Sequence, residues 1–265
     1  MNKKILAILC ASCMALGASA QDVDDEFELP ADNESAISFN IGTDITSAYV
    51  WRGQLLLKGA NFQPYLDFNA GNFTLGLWNC TDFDGNLKEF DIYASYTVAD
   101  QLTFTITDYF TQDGLNDPMY EHIPYGNYYA RETAHAFEFS VDWESDFGLD
   151  ASMNVLFYGD DKKDWLDEED ENYGKNAYGT YFELGYTTTV KSVDFRPFVG
   201  MVFNPSTWYG DGTGLHKGAN VVNLGVAASH EIELTQKFKL PIYVAFGYNP
   251  QADDVAAYAG FQIGF

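Results

Sequence analysis

Nine charged residues fall at alternate positions within extended-looking segments: Asp44, Asp67, Glu89, Asp91, Glu138, Asp150 and Glu183, with Arg52 and Arg196. Arranged around a water-filled lumen, such side chains select ions by sign, and an acidic majority favours cations or neutral solutes over anions. The same carboxylates can instead brace the two arginines, because a guanidinium enclosed by a wall needs a carboxylate partner. For Arg52 the bracing role fits better, with an acid near Asp44 or on a neighbouring strand as its partner.

Other chemistries find less support. The histidines are His122, His135, His216 and His230, and no two stand at a metal-binding spacing. No Gly-x-Ser-x-Gly, glycine-rich phosphate loop or cysteine pair occurs, so neither a catalytic residue nor a cofactor or metal site is expected. A barrel lipid hydrolase, with a serine beside His135, is the rival enzymatic reading. The run Asp160 to Glu171 lacks the ligand order of an EF-hand loop and reads as a solvated loop, bridged at most loosely to lipopolysaccharide by divalent ions. The aromatic segment Met119 to Tyr129 suits either a ligand surface or a lid over a pore, and an adhesive or structural barrel without conduction is the third class. With 14 Lys and Arg against 39 Asp and Glu, and a net charge of -25, nucleic acid is excluded as a partner.

These side chains must be placed by strands. From Ala36 onward apolar residues recur with period two: Ile37, Phe39, Ile41; Phe73, Leu75, Leu77; Phe90, Ile92, Ala94; Phe137, Phe139, Val141; more weakly Val222, Leu224, Val226; and so on to Phe261, Ile263 and Phe265. About twelve such strands are expected. Short connections (70–72, 99–101, 144–147, 189–193) alternate with long ones (53–60, 79–88, 111–132, 159–176, 204–218), while 231–239 is longer than that rule gives. The alternation fits a transmembrane up-and-down antiparallel barrel, all-β, with its short turns on the periplasmic side. A soluble sandwich or lipocalin-like barrel also alternates, but aromatics at the ends of the apolar parity (Tyr49, Trp51, Trp143, Tyr186, Phe203, Tyr248) suit two lipid-interface girdles, and the other parity (Gly, Ser, Thr and Asn, with Asp and Glu) is too small and polar for a solvated surface and is expected to line the interior. Asp108 breaks the parity, implying a bulge or a strand already clear of the bilayer.

Residues 1–20 read as an export signal: Lys3 and Lys4, an apolar stretch from Ile5 to Leu16, then Ala18-Ser19-Ala20, with cleavage after Ala20. The apolar stretch is too short for a membrane-spanning helix. Residues 21–35 form an acidic tail read as flexible, and residues 36–265 the barrel. Cleavage removes Cys10 and Cys13 and leaves Cys80 alone, so no intramolecular disulfide is expected. The alternating terminal strand, Phe261, Ile263 and Phe265, reads as an assembly signal for the barrel-assembly machinery.

Ser47 to Gly53, Leu75 to Asn79 and Glu89 to Tyr96 resemble, in order and spacing, the opening of the TorF-type family of Gram-negative outer-membrane porins. The resemblance covers about residues 45 to 96. It departs at Gln54-Leu55-Leu56-Leu57, where that family carries a polar stretch. It implies an outer-membrane channel and carries over no catalytic residues. The chain is thus expected in the bacterial outer membrane, among lipid and lipopolysaccharide, as a porin-like channel for small solutes, with homo-oligomerisation left open.

Overall fold

A computed structural model describes residues 37–84, 88–111, 123–129, 133–209, 219–236 and 238–264. The export signal, the acidic tail, His122, His216 and Phe265 lie outside them. The strands are β1 (Ile37–Trp51), β2 (Gln54–Ala70), β3 (Phe73–Asp82), β4 (Lys88–Val98), β5 (Leu102–Thr111), β6 (His135–Glu144), β7 (Leu149–Gly159), β8 (Thr180–Tyr186), β9 (Thr188–Val190), β10 (Val193–Val202), β11 (Asn220–Glu233), β12 (Lys239–Asn249) and β13 (Asp254–Gly264). Each pairs antiparallel with its neighbours, and β1 pairs with β13 while β10 pairs with β11. The sheet therefore closes. β8 and β9 both pair with β10 and are parted only by Thr187, whose N–H donates to the Gly148 carbonyl at 2.7 Å. They fill one position, and the barrel has twelve.

Period two decides which face goes where. Phe39, Leu75, Ile106, Phe139, Val244 and Phe246 project outward and stay exposed, Phe39 at 66%. The alternate parity, including Ser95, Thr105, Thr107, Ser140 and Asn154, is buried inside. A soluble barrel would bury the first set. This one is inside out, and its continuous apolar belt suits a hydrocarbon phase rather than water. Closure leaves no unpaired edge, which a strand wall in lipid requires.

The interior departs from the expected small, polar lining. Trp78, Tyr93, Tyr109 and Tyr181 point inward and are buried, and glycines on adjacent strands make room for Tyr93 and Tyr181 and for the half-buried Tyr65. A Cβ at Gly76 would run into the Tyr93 ring, one at Gly42 into Tyr65 and one at Gly200 into Tyr181.

Four further expectations are corrected. Tyr49 and Trp51 do not belong to an outer girdle: register shifts between Thr46 and Ala48 and between Tyr49 and Val50 turn both inward. Residues 54–60 are not a long loop but the start of β2, joined to β1 by the two-residue turn Arg52-Gly53. At the other rim the β11–β12 ladder runs on through Glu233 and Lys239, shortening the long turn expected from 231 to 239. Val222 leaves the outward parity of Leu224 and Val226 and is buried, beside a register shift at Gly200 and Met201.

Candidate functional site

The site begins at the β1–β2 turn. Both central residues have positive φ, 48° at Arg52 and 83° at Gly53, the backbone of a type I′ hairpin. Gly53 adopts this freely. The tip leans across the barrel: the Gly53 carbonyl accepts from Asn249 Nδ2 at 3.3 Å, and a Cβ on Gly53 would collide with the Val222 carbonyl of β11.

Arg52, 1% exposed, then reaches the far wall. One terminal nitrogen pairs with Glu138 Oε2 and donates to the Tyr209 hydroxyl at 2.5 Å. The other donates to Glu138 Oε1 at 2.9 Å and Asn154 Oδ1 at 2.8 Å. The guanidinium lies 4.6 Å from the Trp51 ring centre and 5.1 Å from that of Tyr181. Glu138 also accepts from Tyr109 and Ser140, both at 3.0 Å. Arg52's partner is thus an acid across the lumen, on β6, and not one near Asp44 or on an adjacent strand.

Residues 203–209 close over this contact. Tyr209 stacks on Trp51 with ring centres 5.3 Å apart and an interplanar angle of 14°, and the Trp208 carbonyl accepts from Gln54 Nε2 at 2.6 Å. Burial pushes the Tyr209 hydroxyl well above its ordinary value. The segment is held by Asp161, which accepts from Ser206 Oγ at 2.7 Å and from the Gly179 N–H at 2.6 Å. Burial, opposed by these hydrogen bonds, raises the Asp161 carboxyl above its usual 3.8.

A second node lies on the same side of the barrel. Arg196 of β10 grips Asp150 of β7 through Nε, at 3.2 and 3.1 Å, and a terminal nitrogen that also donates to Glu183 of β8 at 2.9 Å. Glu183 further accepts from Tyr181 at 2.5 Å and Asn223 at 3.1 Å. Gly185 leaves space for the guanidinium.

The other four expected residues, Asp44, Asp67, Glu89 and Asp91, stand on β1, β2 and β4, all buried. Asp67 accepts from the Tyr93 hydroxyl. Cys80, buried and free, lies 3.7 Å from Asn61 Oδ1. Phe261 and Ile263 sit opposite Ile45 and Thr43 of β1 at the closure. Sequence reasoning missed Glu138's tie to Arg52 and the whole aromatic contribution of Tyr109, Tyr181, Trp208 and Tyr209; the inward parity of Tyr109 and Tyr181 was the available signal.

Outside the lumen, Asp108 sits in regular pairing with Ile92 and Phe137, so no bulge places it. It faces outward and meets His135 Nδ1 at 2.7 Å. His135 Nε2 lies 2.6 Å from the Tyr125 carbonyl, and Tyr128 stacks on the ring at 4.1 Å. The described part of the aromatic segment therefore packs on the outer wall instead of folding in as a lid. Because a backbone carbonyl occupies the second nitrogen, the His135–Asp108 pair presents no hydroxyl nucleophile. His230 Nδ1 meets the Ser192 carbonyl at 2.6 Å. Among the described residues no group of His, Cys, Asp or Glu is placed to hold a metal ion.

No protein-family model matches the chain, and no curated protein matches it by sequence. Among solved structures it is similar to a KdgM porin (9% identity over 85% of this chain and 99% of that one, TM-score 0.43) and a NanC porin (10%, 86% and 98%, TM-score 0.40). It is also similar to a triple mutant of the Rhodopseudomonas blastica porin at 11% identity and TM-score 0.38, covering 77% of this chain and 55% of that one.

Proposed function

We propose that this chain is an outer-membrane channel for passive diffusion of small solutes, exported with residues 1–20 removed and inserted by the barrel-assembly machinery through its terminal strand. The observation that carries the reading is the inside-out wall: a closed twelve-position barrel with an apolar outer belt and charged, hydrogen-bonded side chains within. A wall built this way suits a polar path through lipid. Asp44, Asp67, Glu89, Asp91, Glu138, Asp150 and Glu183 line that path with Arg52 and Arg196, and their acidic excess favours cations.

One observation favours a second reading. The β1–β2 tip and residues 203–209 meet across the interior around a buried Arg52, as they would in a non-conducting structural barrel. Single-channel recording of the refolded protein in planar bilayers separates the two. A conducting barrel gives discrete current steps in KCl, and a sealed one gives none in wild type. The channel reading fails if wild type and Arg52→Ala are both silent.

A further inference from the structure

Among the described residues the interior is neutralised on one side only. Arg52 and Arg196 are taken up by Glu138, Asp150 and Glu183 on β6, β7 and β8. Across the barrel, no described Lys, Arg or His pairs with Asp44, Asp67 or Asp91. Asp44 and Asp91 are 8% and 1% exposed, and Oδ1 of each lacks a hydrogen-bond partner. Two further polar atoms there are unsatisfied: the Tyr65 hydroxyl, two positions from Asp67 on β2, and Nε2 of Gln262, the register partner of Asp44. Native interiors leave few such atoms unmatched.

The surroundings narrow the ligand. Tyr65 pairs in register with Trp78, and Trp78 with Asp91. Tyr49 lies against Trp78 with ring centres 5.7 Å apart, and Tyr93 is tied to Asp67. Carboxylates are thus interleaved with aromatic rings. No metal-holding cluster occurs among the described residues, which disfavours a dehydrated inorganic cation. An organic ammonium fits both features, its head donating to unmatched carboxylate oxygens and its body lying on aromatic faces, where cation–π attraction adds to the ion pair.

We propose that the β1–β4 wall is a binding site for small organic ammonium ions, centred on Asp44, Asp67 and Asp91. The proposal deepens the channel reading by naming a solute class, but its test does not depend on conduction. Butylammonium chloride is titrated calorimetrically into the refolded full chain in detergent micelles, with sodium butyrate as the opposite-charge control and heat-modifiable gel mobility as the check on folding. Saturable heat is expected with butylammonium and not with butyrate. Affinity should fall at least tenfold in Asp44→Asn and in Asp67→Asn, and stay unchanged in Asp146→Asn, which alters an exposed turn acid. Equal binding of butyrate, no saturable heat in wild type, or wild-type affinity in both lumen variants would overturn the proposal. The comparison of the two ions in wild type stands even if a variant fails to fold. Current steps without ammonium binding would sink this inference and leave the channel, while binding without steps would do the reverse.

Discussion

A guanidinium that forks onto one carboxylate while lying between aromatic faces is held by geometry that a lysine cannot reproduce. Glu138 is 0% exposed, so removing Arg52 strands a carboxylate in the interior, a loss of about 3–5 kcal/mol for a buried pair. Arg52→Ala should therefore lower the urea midpoint of the refolded barrel markedly, and Arg52→Lys should fall between it and wild type. Equal midpoints for all three would mean that the tip is held by something else. Asp161 offers a titrating counterpart outside the strands. Because burial raises its carboxyl above 3.8, the folded state binds the proton more tightly than the unfolded one. Its stabilising contribution is then complete below 3.8 and declines as pH rises through the raised value. Measured against Asp161→Asn, wild-type stability should fall over that window and level off above it; a difference that is flat or rising with pH contradicts the assignment. At this scale parity groups the nine charges on the buried face of the wall, but their partners are not legible in it. The tie from Arg52 to Glu138 spans 86 positions and depends on a tip that bends inward.

The β1–β2 hairpin shows how an element becomes legible or stays hidden. Ile37, Phe39 and Ile41 announce their strand by strict alternation, and the same signal finds the rest of the twelve positions. Two register shifts then break the parity near Tyr49 and Trp51, so the aromatics that hold the tip read as part of an outer girdle and the start of β2 reads as loop. A bulge flips faces without leaving a mark in composition. The turn itself is testable. Gly53→Ala meets both a left-handed backbone and the Val222 carbonyl, whereas Gly71→Ala, with φ of 63°, meets open space. The first should cost clearly more than the second, which is limited to the roughly 1 kcal/mol of backbone strain. Comparable thermal midpoints would show that the tip does not approach β11. The long connections share a rim with the two-residue β1–β2 tip, opposite the short turns at 71–72, 99–101 and 145–148, so protease added to intact cells should cut within 160–176. Cutting only after the outer membrane is permeabilised would reverse the orientation.

Taken as a whole, the molecule places its charge unevenly: two arginines consumed by three acids on one side, and Asp44, Asp67 and Asp91 without a described cationic partner on the other. A low-dielectric wall focuses the field of such an excess into the barrel interior. Barrel class and strand number follow from parity and connection length, properties that sum over the chain and survive local errors. The interior packing does not, because an aromatic one position along a strand changes face. The most direct test is the reversal potential of the wild-type protein in a planar bilayer under a KCl gradient. A cation-preferring interior gives current steps that reverse on the potassium side of zero, with a smaller offset in the Asp44→Asn, Asp67→Asn, Glu89→Gln triple variant and an effect that weakens at high salt. A wild-type channel that reverses on the chloride side would contradict it.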